Sequence, residues 1–200
     1  MLPRLTVILT VTVGAAIALV ACGSPSSPSG SGTLRVMITD SPYSDASAVH
    51  VTFKELQIHP VEGEWVPVDF AGAPATESRT CNLKKLEGPF DVLGADALTA
   101  GRYTQVRLVV SEAFLYFGGV ETGEPACATT LAPPTGFTSS ASLEIPSGEV
   151  KLNREFEVVA DGITTIDLDF DGDRSITLTG SNRYRMTPVI AIKGVSAPTP

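Results

Sequence analysis

The sequence predicts an all-β domain, a two-sheet antiparallel β-sandwich, with one short helical or irregular segment near residues 83–98. Three observations lead there. Apolar residues recur at alternate positions in run after run between residues 33 and 195, the period of a strand with one buried face. The runs are short and separated by turn residues, in a chain of 200 residues with 18 Gly and 15 Pro. No long stretch has the 3.6-residue period of a helix. Strands of this kind bury their apolar faces best as two packed sheets. The 33–195 span suits a single domain with a sizeable core.

Leu34, Val36 and Ile38 alternate with Arg35, Met37 and Thr39, a first strand. Val49, Val51 and Phe53 alternate with His50, Thr52 and Lys54, which places His50 toward solvent. The apolar set then resumes out of phase at Leu56 and Ile58, as a β-bulge near Lys54-Glu55 would require. Residues 60–63 form a turn, and Val66, Val68 and Phe70 make a third strand with Trp65 at its start. Residues 71–82 read as a loop, and 83–98 lack alternation and accommodate a short helix or two. Ala100-Gly101 is a turn. A long strand over 103–117 follows, with Val106, Leu108 and Val110 inward and Arg107 opposite. Residues 118–142 form a second long loop, and Leu143 and Ile145 mark a short strand. Val150, Leu152, Phe156 and Val158 alternate with Lys151, Asn153, Glu155 and Glu157. Asp161-Gly162 has the composition of a tight hairpin. Ile166, Leu168 and Phe170 alternate with Thr165, Asp167, Asp169 and Asp171; Asp171-Gly172 is another turn. Ile176 and Leu178, a turn at 180–182, and a closing strand within 184–195 complete about eight or nine strands.

The first four residues end in Arg4, and residues 5–20 carry no charge. That is the basic and apolar pair of regions of an export signal. The alternative is a transmembrane anchor, but the run falls short of the ~20 residues a spanning helix needs. It ends at Leu19-Val20-Ala21-Cys22 instead of at a charged flank. This ending resembles the bacterial lipobox. The resemblance implies that 1–21 is a cleaved lipoprotein signal peptide and that Cys22 is lipidated. It places the protein in the cell envelope, lipid-anchored outside the cytoplasm and attached to the membrane through its N-terminal lipid. Gly23, where Asp would retain the protein, points to the outer membrane in a Gram-negative cell. Residues 22–32 hold that cysteine and a Gly/Ser/Pro tether. The β-sandwich domain spans 33–195, and 196–200 are a disordered tail.

The formal net charge of −8 becomes −9 once Arg4 leaves with the signal. Such acidity argues against nucleic acid as a partner and against attraction to anionic lipid. It is compatible with divalent cations. Of three cysteines, lipidation uses Cys22. Cys81 and Cys127 remain, an even number in an oxidising compartment, which points to one disulfide. Two separate buried thiols are the alternative. A thiol catalyst would need a neighbouring base, and neither cysteine has a histidine near it in sequence.

Candidate chemistry is sparse. The only histidines are His50 and His59, no GxSxG elbow accompanies either, and a hydrolytic triad or zinc site has little to start from. Paired carboxylates could serve a glycosidase, but aromatics are only 6% of residues. No catalytic residue is assigned. The most suggestive stretch holds Asp167, Asp169, Asp171 and Asp173, with Asp167-Leu-Asp-Phe-Asp-Gly172 matching the D-x-D-x-D-G start of a calcium loop. Against that, alternate residues of one strand lie ~7 Å apart, too far for one ion to bind both closely. The twelfth position is Leu178, where the loop needs Glu. A wet strand face is the simpler reading. Asp40 and Asp45, flanking Ser41-Pro42-Tyr43, form a second acidic loop that could meet the first in space. Calcium is the one cofactor these residues could take; otherwise none is expected.

Four segments in order resemble one family. They are Leu34-Arg-Val-Met-Ile-Thr-Asp-Ser-Pro42, Ala100-Gly-Arg-Tyr-Thr-Gln-Val-Arg-Leu108, Ile166-Asp-Leu-Asp-Phe-Asp171 with Ser175, and Tyr184-Arg-Met-Thr-Pro-Val-Ile190. Together they look like the exported, lipid-anchored proteins catalogued as domain of unknown function 4382. The resemblance covers about 32–195. It implies a transthyretin/prealbumin-like sandwich, where strand count alone also admits an Ig-like one. It brings no activity and no site residues; Cys81 and Cys127 are not among its motifs. The expectation is a lipid-anchored envelope protein with a non-enzymatic binding or scaffold domain and a surface protein or glycan as partner. A calcium-stabilised adhesion or glycan-binding module is the alternative, and a hydrolase a third.

Overall fold

A computed structural model describes residues 30–197 apart from 42 and 122. The signal peptide assigned to 1–21, Cys22 and most of the tether lie outside the described residues. The strands are β1 (Ser31–Ser41), β2 (Ala48–Pro60), β3 (Val66–Pro67), β4 (Arg79–Asn82), β5 (Asp91–Thr99), β6 (Gly101–Phe117) and β7 (Cys127–Ala128). They continue with β8 (Ser139–Ser142), β9 (Glu149–Val158), β10 (Ile163–Asp171), β11 (Ile176–Leu178), β12 (Tyr184–Met186) and β13 (Ile190–Ser196). A 3-10 turn at Leu83–Leu86 and a single helical turn, α1 (Gly172–Ser175), are the helical pieces among the described residues.

Two sheets hold the fold. The smaller has the order β13-β10-β1-β5. The larger runs β7-β4-β2-β6-β8, with β3 on β2 and β9 on β6. A separate ribbon pairs β11 with β12. Alternation decides which face each strand buries. Leu34, Val36 and Ile38 of β1 and Ile166, Leu168 and Phe170 of β10 are fully buried. They pack in one core with Val49, Val51 and Phe53 of β2 and Val106 and Leu108 of β6. Phe53 meets Phe170 edge-on, ring centroids 6.3 Å apart, across the two sheets. The expected bulge is present: the β2–β6 register shifts around Phe53 and Glu55. That extra residue lets both Phe53 and Leu56 face inward.

Several expectations give way. The central pair of the smaller sheet is parallel, Val36 standing opposite Ile166, so an otherwise antiparallel sandwich carries one long-range parallel ladder. Asp161-Gly162 is therefore no hairpin: β9 pairs with β6 and β10 with β1, and the turn crosses between sheets. Asp161 sits there at φ 56°, a left-handed conformation that Asp tolerates. The 83–98 segment holds the 3-10 turn and then β5, antiparallel to β1. Its alternation is hidden by a register shift opposite Val36/Met37 and by Gly94. A Cβ on Gly94 would meet Leu56 Cδ2 at 2.6 Å and the Asp69 carbonyl at 2.7 Å. The 71–82 and 118–142 loops contain β4, β7 and β8. The third strand shrinks to β3, which ends at Pro67, a residue with no N–H for a ladder.

The domain has two unlike ends. At one, Ala100 N–H donates to Gly30 C=O at 2.9 Å, Asp161 N–H to Ser31 C=O at 2.9 Å and Val61 N–H to Arg102 C=O at 3.1 Å. The chain enters there, and β13 ends there, with Ser196 opposite Thr165. At the other end lie the connections 42–47, 83–90, 118–138 and 172–189.

Candidate functional site

Three of the four family-like segments converge at the end opposite Gly30 and Ser196. β1 brings Asp40 and β10 brings Asp171 to that edge, and the terminal segment returns beside them. Gly172 N–H donates to Asp40 Oδ1 at 3.1 Å. Arg174 N–H donates to Asp171 Oδ1 at 2.9 Å, capping α1. Ser175 Oγ donates to Asp171 C=O at 2.5 Å and accepts from Val189 N–H at 2.9 Å. Asp171 N–H closes the ring on Val189 C=O at 2.9 Å. Gly172 is required by close approach: a Cβ there would stand 2.9 Å from Tyr43 N. The fourth segment, Ala100–Leu108, lies at the terminal end, so the set is not one site.

Asp40 occupies a core position of the β1 alternation and is 5% exposed. Its Oδ2 has no hydrogen-bond partner. Burial raises its pKa to about 8; the Gly172 N–H and Lys84 oppose this, and Asp169 and Asp171 reinforce it. The side chain is therefore largely a neutral carboxylic acid at neutral pH.

The other aspartates are each engaged separately. Asp169 pairs with Lys193 Nζ at 2.9 Å. Asp167 stands opposite Gly194 on β13. Asp171 lies 3.8 Å from Arg174 Nη1, and Asp173 Oδ1 accepts from Ser44 N–H at 3.2 Å. Asp45 is exposed and acts on Tyr43, whose hydroxyl pKa is raised by burial and by that carboxylate. The two acidic loops do meet, through Asp40–Gly172 and Asp173–Ser44. Asp40 faces the core while Asp169 and Asp171 sit on the other face of the sheet. Among the described residues no three His, Cys, Asp or Glu side chains are arranged to hold a metal ion.

Cys81 and Cys127 form a disulfide between directly opposed residues of β4 and β7. It ties down the 118–138 connection, which folds back over the outer face of the larger sheet. His50 is the consequence: expected in solvent, it is 6% exposed, because that connection covers it. Burial lowers its pKa against the opposing pull of Glu121 and Glu124. Its ring meets Tyr116 edge-on at 4.9 Å. Around it, Asn82 Nδ2 donates to Glu121 Oε1 at 2.9 Å, and Lys85 lies 3.2 Å from Glu121 Oε2. The half-open hollow beside His50 has about 10 Å³ of space, room for a water molecule. His59 stands at the far end of β2 against Trp65, at 4.9 Å. Arg107 covers the Trp65 ring at 4.5 Å.

A groove at the loop-bearing end was not singled out by sequence reasoning. It has a volume of about 480 Å³ and runs between β8 and residues 182–184. Ser140, Ser142, Arg183 and Tyr184 line it. Outside it, Phe114 and Phe137 are 37% and 40% exposed, and Phe137 packs edge-on against Tyr116 at 5.3 Å. The available signal was the uncharged run Ser139-Ser-Ala-Ser142 at the close of the long loop.

A family model with the description Domain of unknown function (DUF4382) matches residues 31–188. No curated protein and no solved structure matches the chain.

Proposed function

We propose, from the premise that this chain belongs to the family described as Domain of unknown function (DUF4382), that it is a lipid-anchored cell-envelope protein whose sandwich is a non-enzymatic binding or scaffold domain. The polarity of the domain carries this reading. The first and last described residues, near Gly30 and Ser196, lie at one end, and the long connections gather at the other. A lipid on Cys22 and a short Gly/Ser/Pro tether would hold the terminal end toward the membrane and present the loops outward. Loops on a rigid sheet scaffold are the usual place for recognition. A lipobox cysteine that receives two or three acyl chains anchors stably, where one chain would bind only marginally. Gly23 directs such a protein to the outer membrane of a Gram-negative host. The partner is a surface protein or glycan of the envelope, and the net charge of −8 disfavours nucleic acid. In a bacterial host the protein should label with palmitate and fractionate with membranes, and Cys22→Ser should abolish both. Labelling that persisted in the variant would refute the anchor.

A further inference from the structure

We propose that the free edge of β8 is a strand-addition site for an extended segment of a partner protein. That segment carries an apolar side chain toward Phe114 and Phe137 and a carboxylate toward Arg183. The proposal deepens the binding-domain reading and rests on it.

β8 closes one edge of the larger sheet. Ser142 stands opposite Phe114 and Ser140 opposite Tyr116 on β6. Leu143 N–H donates to Ala113 C=O at 3.0 Å, which makes Phe114–Ser142 a non-hydrogen-bonded pair. Pairs alternate along an antiparallel ladder. The backbone N–H and C=O of Ser142 and of Ser140 therefore point away from β6. Among the described residues no strand lies against them.

The other edges are guarded in the ways sheets use against stray pairing. β9 alternates through Glu149, Lys151 and Glu157. β7 is two residues long and held by the disulfide. The outer edge of β5 is taken: Ala71 N–H bonds Leu93 C=O, and Ala95 N–H bonds Asp69 C=O, both at 3.0 Å. β13 carries Lys193, and its register slips beside Asp167. β8 is short, but along Ser139–Ser142 it carries no charge and no proline, and no strand covers it until Glu144.

There is also room. Glu144 N–H bonds Tyr184 C=O, and Met186 N–H bonds Glu144 C=O, both at 2.9 Å. Toward Ser140 the two segments part and leave the groove of about 480 Å³. An added strand needs ~4.8 Å of lateral spacing. Its alternate side chains would face opposite ways. One set would join Ser140, Ser142 and the exposed rings of Phe114 and Phe137; the other would enter the groove beside Tyr184. Arg185 is already paired with Glu144 at 3.5 Å. Arg183 has no carboxylate partner among the described residues, which sets the charge of the incoming segment.

Selecting a random displayed dodecapeptide library on the intact protein, then following amide hydrogen exchange of each complex, tests this. Enriched peptides should alternate apolar and polar residues, include Asp or Glu, and protect the Ser140 and Ser142 amides. Ser140→Pro removes a donor at an edge position where proline is tolerated. It should weaken binding about tenfold or more, and Arg183→Glu several-fold, with thermal unfolding unchanged. Ser142→Lys charges the edge without altering the backbone, so it decides the matter should Ser140→Pro misfold. Failure to enrich any peptide, equal binding to Ser142→Lys, or protection explained by two copies pairing through β8 would each overturn the proposal. Palmitate labelling at Cys22 is indifferent to these variants, so strand addition and anchoring fail separately.

Discussion

Asp40 lies on the core phase of β1 with Leu34, Val36 and Ile38, so the packing that builds the sheet also desolvates its carboxyl. Its folded pKa of about 8 lies above the ordinary 3.8. The folded state thus holds a proton that the unfolded chain releases at lower pH. The contribution to stability is fully present below about pH 4 and is lost as pH rises toward 8. Asp40→Asn keeps an oxygen to accept the Gly172 N–H and cannot ionise. Its unfolding temperature should match the parent at pH 4 and exceed it by about ten degrees or more at pH 8. A constant gap across that range would show that Asp40 is ionised in the fold. The alternation of β1 already places Asp40 on the core phase, yet a loop-edge aspartate looks like a solvated candidate cation ligand until the α1 turn is placed over it. His50 was misread for the same reason: alternation correctly put it on the outer face, and only the 118–138 connection buries it.

Elements were legible where side chains carry the pattern and illegible where neighbours impose it. β1, β2 and β10 alternate Leu, Val, Ile and Phe with polar residues, and even the β2 bulge could be read from the slip between Phe53 and Leu56. β5 and β8 are rich in Ala, Gly and Ser, so hydrophobic period gave no signal; each is a strand because β1 or β6 offers it a ladder. The disulfide was legible by counting, but its role was not. It closes a loop of sequence separation 46, which chain entropy converts to roughly 4 kcal/mol of stabilisation. For a domain of this size that is a fall of about 10 °C in unfolding temperature when the bond is lost. Cys127→Ser should show that fall. It should also expose 118–138 to proteolysis before the sheets unfold, as limited digestion under native conditions would reveal. A variant with unchanged stability and an intact loop would mean that hydrogen bonds and ion pairs, among them Asn82–Glu121 and Lys85–Glu121, hold that connection without the disulfide.

For the whole molecule, the decisive feature is the parallel β1–β10 ladder, which joins residues about 130 apart in sequence. Parallel pairing of this range cannot be read from alternation. It places Asp40 on one face of the sheet and the Asp169–Asp171 row on the other, so the acidic residues that crowd the sequence are divided in space. Lys193 compensates Asp169, Arg174 stands beside Asp171, and Asp173 is spent on the Ser44 N–H. Repulsion among the rest is screened over ~8 Å at physiological salt. A calcium ion at a hundredfold excess over its dissociation constant would stabilise the fold by about 2.7 kcal/mol. That is a rise of roughly 5–10 °C for a domain of this size. With the carboxylates divided, metal-stripped protein should shift by less than ~2 °C when millimolar calcium is added, and by the same amount with magnesium at equal ionic strength. A calcium-specific rise of five degrees or more, lost in Asp169→Asn or Asp171→Asn, would make the domain a calcium-stabilised module. The acidic edge beside α1, and not β8, would then be the first surface on which to seek a ligand.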